Sequence, residues 1–114
     1  MGKELEKVQE GKVTLKIKGK EREIKFSFSA WAKLEEELGG LDNLDRLEND
    51  IKNFPFKTIP HLIWIGLTDK EGLEEATVLD DYGLGDVEKI TEVIEKALYG
   101  SLPEGEEKKA EQEA

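Results

Sequence analysis

The chain has 114 residues, with 17 Lys and Arg against 27 Asp and Glu, a net charge of −10 and a pI near 4.7. Charged residues make up 39% and hydrophobic ones 37%, an apolar share that is thin but enough for one core. With no cysteine, disulfides, thiolate metal sites and cysteine nucleophiles are excluded, and the negative field repels phosphate backbones and anionic membrane surfaces alike. The start, Met1-Gly2-Lys3-Glu4-Leu5-Glu6, has no apolar signal core. The longest apolar run, Leu62 to Leu67, is too short to cross a bilayer. The expectation is a cytoplasmic protein with neither nucleic acid nor membrane among its partners.

Residues 1–12 are polar and read as a flexible N-terminal arm. From Val13 the pattern alternates: Val13, Leu15 and Ile17, then Ile24, Phe26 and Phe28, joined through Gly19-Lys20-Glu21. That is a β-hairpin with one apolar face and Lys16, Lys18 and Lys25 on the other. A lone hairpin is marginal in water, so the apolar face must pack on something.

The period then lengthens. Ser29 is placed to cap a helix with the stripe Trp31, Leu34 and Leu38, stopped by Gly39-Gly40. Asp42 or Asn43 can cap a second helix with the stripe Leu41, Leu44, Leu47 and Ile51, which Phe54-Pro55-Phe56 breaks. A third segment follows, with Thr58 as cap and Pro60 in the first turn. Residues 59–67 are apolar all round, which suits a buried strand or a buried helix. The Thr-Ile-Pro start favours a short central helix.

Residues 69–72 form a loop, and 73–82 contain one helical turn around Val78 and Leu79. Asp86 caps a last helix with Val87, Ile90, Ile94 and Ala97 in line, flanked by Val93 and Leu98. Gly100 ends it, Leu102 folds back on its last turn, and Pro103 blocks a restart. Residues 104–114 read as a disordered acidic tail. The expected fold is α+β: one domain over 13–103, a hairpin packed on about four helices.

No pattern of catalytic residues emerges, and the expectation is a non-catalytic protein without metal or cofactor. His61, the single histidine, cannot head a zinc site without further His or Cys ligands and reads as structural. The acidic groups Asp42 and Asp45, Glu35 to Glu37, and Asp80-Asp81 fall on helix faces and turns, where caps and solvation account for them. Trp31 and Trp64 lie on apolar stripes and read as core. Phe54 and Phe56 flank a proline in a connector, and they are the candidate partner-binding residues.

The order of parts resembles the tail assembly chaperones of long-tailed phages and prophages. The resemblance rests on Phe26-Ser27-Phe28-Ser29-Ala30-Trp31, on Leu34-Glu35-Glu36-Glu37-Leu38-Gly39-Gly40, on Leu62 to Leu67, and on the last helix from Val87 to Pro103. Thr77 is followed by Val78-Leu79-Asp80, where that family often has acidic helix formers, so the connector helix should be short. The resemblance implies a protein that binds the apolar tape measure protein, keeps it soluble, helps recruit tail tube protein, and is missing from the mature virion. Self-association is a further partner to test.

Two other readings compete. An acidic DNA-mimic inhibitor would bind a basic nuclease or repressor, although the lysines of the hairpin interrupt the continuous acidic face that mimicry needs. A permanent tail or connector subunit would remain in finished particles.

Overall fold

Residues 11–102 are described by the structure, a computed structural model. The acidic tail 104–114, Pro103 and residues 1–10 of the arm lie outside the described residues. The fold is α+β: an N-terminal antiparallel hairpin packed on four helices. The strands are β1, Lys12–Ile17, and β2, Lys20–Lys25. The helices are α1, Phe28–Leu38; α2, Leu44–Asn53; α3, Pro55–Gly66; and α4, Val87–Gly100.

Ile17 pairs with Lys20, so the hairpin turns on Lys18-Gly19, one residue earlier than the sequence suggested. Both residues have positive φ, 55° and 76°, as a two-residue primed turn requires. The arm is also shorter than expected, because Gly11 already accepts from the Phe26 amide (2.9 Å) and β1 begins at Lys12. The outer face is not purely basic. Lys16 stands opposite Glu21, and Glu23 opposite Thr14.

β2 ends at Lys25, and Phe28 does not continue its apolar face. Phe28 opens α1 and is 93% exposed. Ser27, not Ser29, caps that helix, with its side-chain oxygen accepting from the Ala30 amide. The alternation ran one step past the point where the backbone changed period. Gly39, left-handed at φ 77°, closes α1, and the Asn43 side chain donates to the Leu38 carbonyl (2.8 Å). Asn43 therefore serves the end of α1 rather than the start of α2. Leu41 sits in a 3-10 turn, Leu41–Asn43, and is exposed. The buried stripe of α2 is thus Leu47 and Ile51.

The break between α2 and α3 is one residue wide. Phe54 leaves helical geometry and Pro55 starts α3 at once, taking the first-turn role that the sequence assigned to Pro60. Pro60 lies inside the helix, where its ring removes the bond to the Phe56 carbonyl. Thr58 is not a cap: its hydroxyl donates back to the Asp50 carbonyl. Residues 59–66 are helical. Leu67 then forms an antiparallel bridge with Ile24, and the Thr68 amide donates to the Glu23 carbonyl. The chain leaving α3 thus runs briefly beside β2.

Helix α3 is the central element. It touches β2, the other three helices and the 3-10 turn Glu75–Thr77, the short form expected of the connector. Ile59, Leu62 and Ile63 are fully buried, together with Ile17 and Ile24 from the hairpin and Ile94 and Leu98 from α4. Burying each such side chain contributes about 1.5–3 kcal/mol. Close approach is built in at Gly66, where a Cβ would lie 2.7 Å from Ile24 Cγ2. Arg22, on the inner face of β2, is buried and donates to the carbonyls of Asp69 (3.2 Å) and Glu71 (2.9 Å), so it pins the loop after α3. No helix among the described residues is long and apolar enough to cross a membrane.

Candidate functional site

Phe54 and Phe56 stand at the α2–α3 corner, 58% and 60% exposed. They flank the junction where a single non-helical residue, Phe54, separates the two helices. The corner is held by the Asp50 carbonyl, which accepts from the Phe54 amide (2.7 Å) and the Thr58 hydroxyl (3.2 Å). Phe54 also lines a cleft of about 400 Å³ whose apolar wall is Leu34, Leu38, Leu47 and Leu62, drawn from α1, α2 and α3. Arg46, Asp50 and Lys57 surround it with mixed charge. Exposed aromatics beside an apolar cleft are a binding feature, since such surface gains free energy when a partner covers it.

His61 reaches the same cleft from α3. Its Nδ1 lies 2.7 Å from Glu75, and its Nε2 lies 2.9 Å from Glu37. A neutral imidazole has one N–H, so only the imidazolium can donate to both carboxylates. Partial burial works against the charged form, but the hydrogen bonds and charges of Glu37 and Glu75 outweigh it and raise the His61 pKa above its ordinary value. The residue ties α1, α3 and the 75–77 turn together. Its clamp could not be read from the sequence, because the two glutamates lie 24 positions before it and 14 after it.

A second cleft, of about 420 Å³, lies on the other side of α2. Ile51, Pro55 and Val87 are its apolar lining, and Glu48, Glu88 and Glu95 its acidic one. Helix α2 is therefore a ridge, with Leu47 and Asp50 facing the first cleft and Glu48 and Ile51 the second. Burial, then the charges of Glu48 and Glu92, push the Glu95 carboxyl above the usual range. Sequence reasoning missed this surface, since its acids come from two helices some forty positions apart.

Trp31 and Trp64 are half-buried against the core. Trp31 donates through Nε1 to Ser101, and Trp64 carries Lys70 Nζ 5.4 Å above its ring. Asp81 accepts from the Lys18 amide and so braces the hairpin turn. The described residues hold no group of three or more His, Asp or Glu arranged to grip a metal ion. The chain matches no protein-family model, no curated protein and no solved structure.

Proposed function

We propose that this protein is a non-catalytic assembly chaperone of the phage or prophage tail type. It covers an apolar helical stripe of the tape measure protein, keeps that protein soluble, and helps bring tail tube subunits to it. The observation that carries this reading is the corner at Phe54 and Phe56: two exposed aromatic rings, one of them lining an apolar cleft. A helix laid there would place its large side chains against Leu34, Leu38, Leu47 and Leu62, the usual mode of helix-in-groove recognition. The net charge of −10 would keep the loaded complex dispersed.

The test is co-expression of the tagged chain with the tape measure and tail tube genes of its own neighbourhood. Soluble tape measure protein that co-purifies, and is lost with the Phe54→Ala/Phe56→Ala double variant, supports the proposal. Insoluble tape measure protein with nothing retained rejects it. Capture of a basic nuclease or repressor instead, released by salt, would put the acidic-mimic reading in its place.

A further inference from the structure

We propose that the cleft between α2 and α4 receives the basic flank of an amphipathic segment from a partner protein, its Lys or Arg side chains meeting Glu48, Glu88 and Glu95 while its apolar stripe covers Ile51, Pro55 and Val87. The inference rests on the reading of the chain as a binding protein and adds the chemistry of what it binds.

The cleft is complementary in charge to a cation. Lys52 is the one basic side chain among those lining the cleft, against three glutamates. Among the described residues, none of Glu48, Glu88, Glu92 and Glu95 has a Lys, Arg or His within 4.0 Å. Lys52 and Lys96 lie one turn on from Glu48 and Glu92, the spacing of a helical ion pair, and still do not pair with them. Ordinary surfaces balance the two signs; the lining here sets three acids against one base. Burial and the charges of Glu48 and Glu92 push the Glu95 carboxyl above the usual range, and a cation arriving there would offset that penalty.

Beneath the acids lies the buried Tyr99 hydroxyl. It has no partner at full hydrogen-bonding geometry, and burial, then the charges of Glu48 and Glu95 and a looser hydrogen-bonding approach of Glu48, raise its pKa. Buried polar atoms without partners are uncommon. A cation in the cleft would offset the repulsion among Glu48, Glu92 and Glu95 and let a carboxylate close on this hydroxyl. A nucleic acid or a small basic solute would leave the apolar wall of Ile51, Pro55 and Val87 uncovered. The cleft also reaches the α2–α3 corner through Pro55.

The test uses the full chain, 15N-labelled, and a synthetic amphipathic helical peptide with a leucine stripe flanked by lysines. Its twin carries glutamates in place of the lysines. Binding of the lysine peptide should shift amides of α2 and α4 and lower the Glu95 carboxyl pKa, and the glutamate twin should not bind. Glu48→Gln/Glu88→Gln/Glu95→Gln should weaken binding by about tenfold, while Glu35→Gln/Glu36→Gln/Asp42→Asn, equal in charge removed, should change it by less than about twofold. Circular dichroism of both triple variants checks that they fold.

Equal losses in the two triple variants overturn the proposal, as do shifts centred on the Phe54 cleft or no binding at all. Concentration-dependent shifts of α2 and α4 without peptide would also overturn it, by naming a second copy as the occupant. Repeating the tape measure co-expression with the Glu-to-Gln variant separates the two proposals. Full retention of the tape measure protein would sink this cleft as a partner site and leave the chaperone reading standing. Peptide binding at the cleft with no tape measure protein retained by the unaltered chain would do the reverse.

Discussion

His61 makes stability depend on pH in a definite direction. Its folded pKa lies above the ordinary value because Glu37 and Glu75 together outweigh the cost of partial burial. The folded state therefore binds the proton more tightly than the unfolded chain does. The gain is full below about pH 6.5, the unperturbed histidine value, and is lost as pH rises through the folded pKa. Because the side chain is 35% exposed, solvent screening holds the gain to about 1 kcal/mol or less. His61→Gln should melt lower than the parent at about pH 6 and show a smaller gap at about pH 9. A gap that does not change with pH would make His61 a packing residue only.

Gly66 is the opposite kind of residue, one that matters for what it lacks. A Cβ there would meet Ile24 Cγ2 at 2.7 Å and Phe26 Cε1 at 3.3 Å, and both neighbours are buried. Overpacking of this sort costs about 1–3 kcal/mol, more than the helix propensity of Ala returns at the last position of α3. Gly66→Ala should lower the melting temperature by several degrees. Gly85→Ala, where a Cβ meets nothing within 4 Å, should leave it unchanged or slightly raised.

Among the elements, the hairpin turn and the α2–α3 corner show how local chemistry sets geometry. Lys18 holds a left-handed conformation at φ 55°, which costs an L-residue with a Cβ about 1–2 kcal/mol. Asn tolerates that conformation, and Asn-Gly is the preferred pair for such a turn. Lys18→Asn should raise thermal stability by about 0.5–1 kcal/mol, because the bond from the backbone amide of residue 18 to Asp81 is kept. A lower melting temperature would mean that the lysine side chain contributes something the turn geometry does not reveal. At the corner, one non-helical residue followed by Pro55 is enough to redirect the chain. The same geometry leaves Phe54 and Phe56 in water.

For the molecule as a whole, exposure separates stability from binding. Truncating Phe54 and Phe56 removes little buried area, so Phe54→Ala/Phe56→Ala should change unfolding free energy by less than about 1 kcal/mol. Under the proposed chaperone role, the same variant should lose tape measure retention. A large fall in stability would make the corner part of the core and weaken its claim as a binding surface. Net charge acts at this scale too. If a basic partner docks between α2 and α4, its affinity should fall steeply with salt, while docking into the apolar cleft at Phe54 should be nearly insensitive to it.

Hydrophobic period alone determined much of the protein: one hairpin, an order of helices, and the stripes Leu34–Leu38, Leu47–Ile51 and Ile90–Ile94–Ala97, all of which are buried. Period is a local property, and burying a stripe is the strongest force acting on it. Tertiary structure decided what depends on distant neighbours or on the handover between periods. It placed Phe28 in solvent and moved the cap to Ser27. It gave Pro55 the first turn of α3, buried Arg22 beneath the loop it holds, and set His61 between Glu37 and Glu75. The two clefts belong to the same group. Each is walled by helices that meet only after folding, and the exposure of Phe54 and Phe56 follows from how tightly α2 turns into α3.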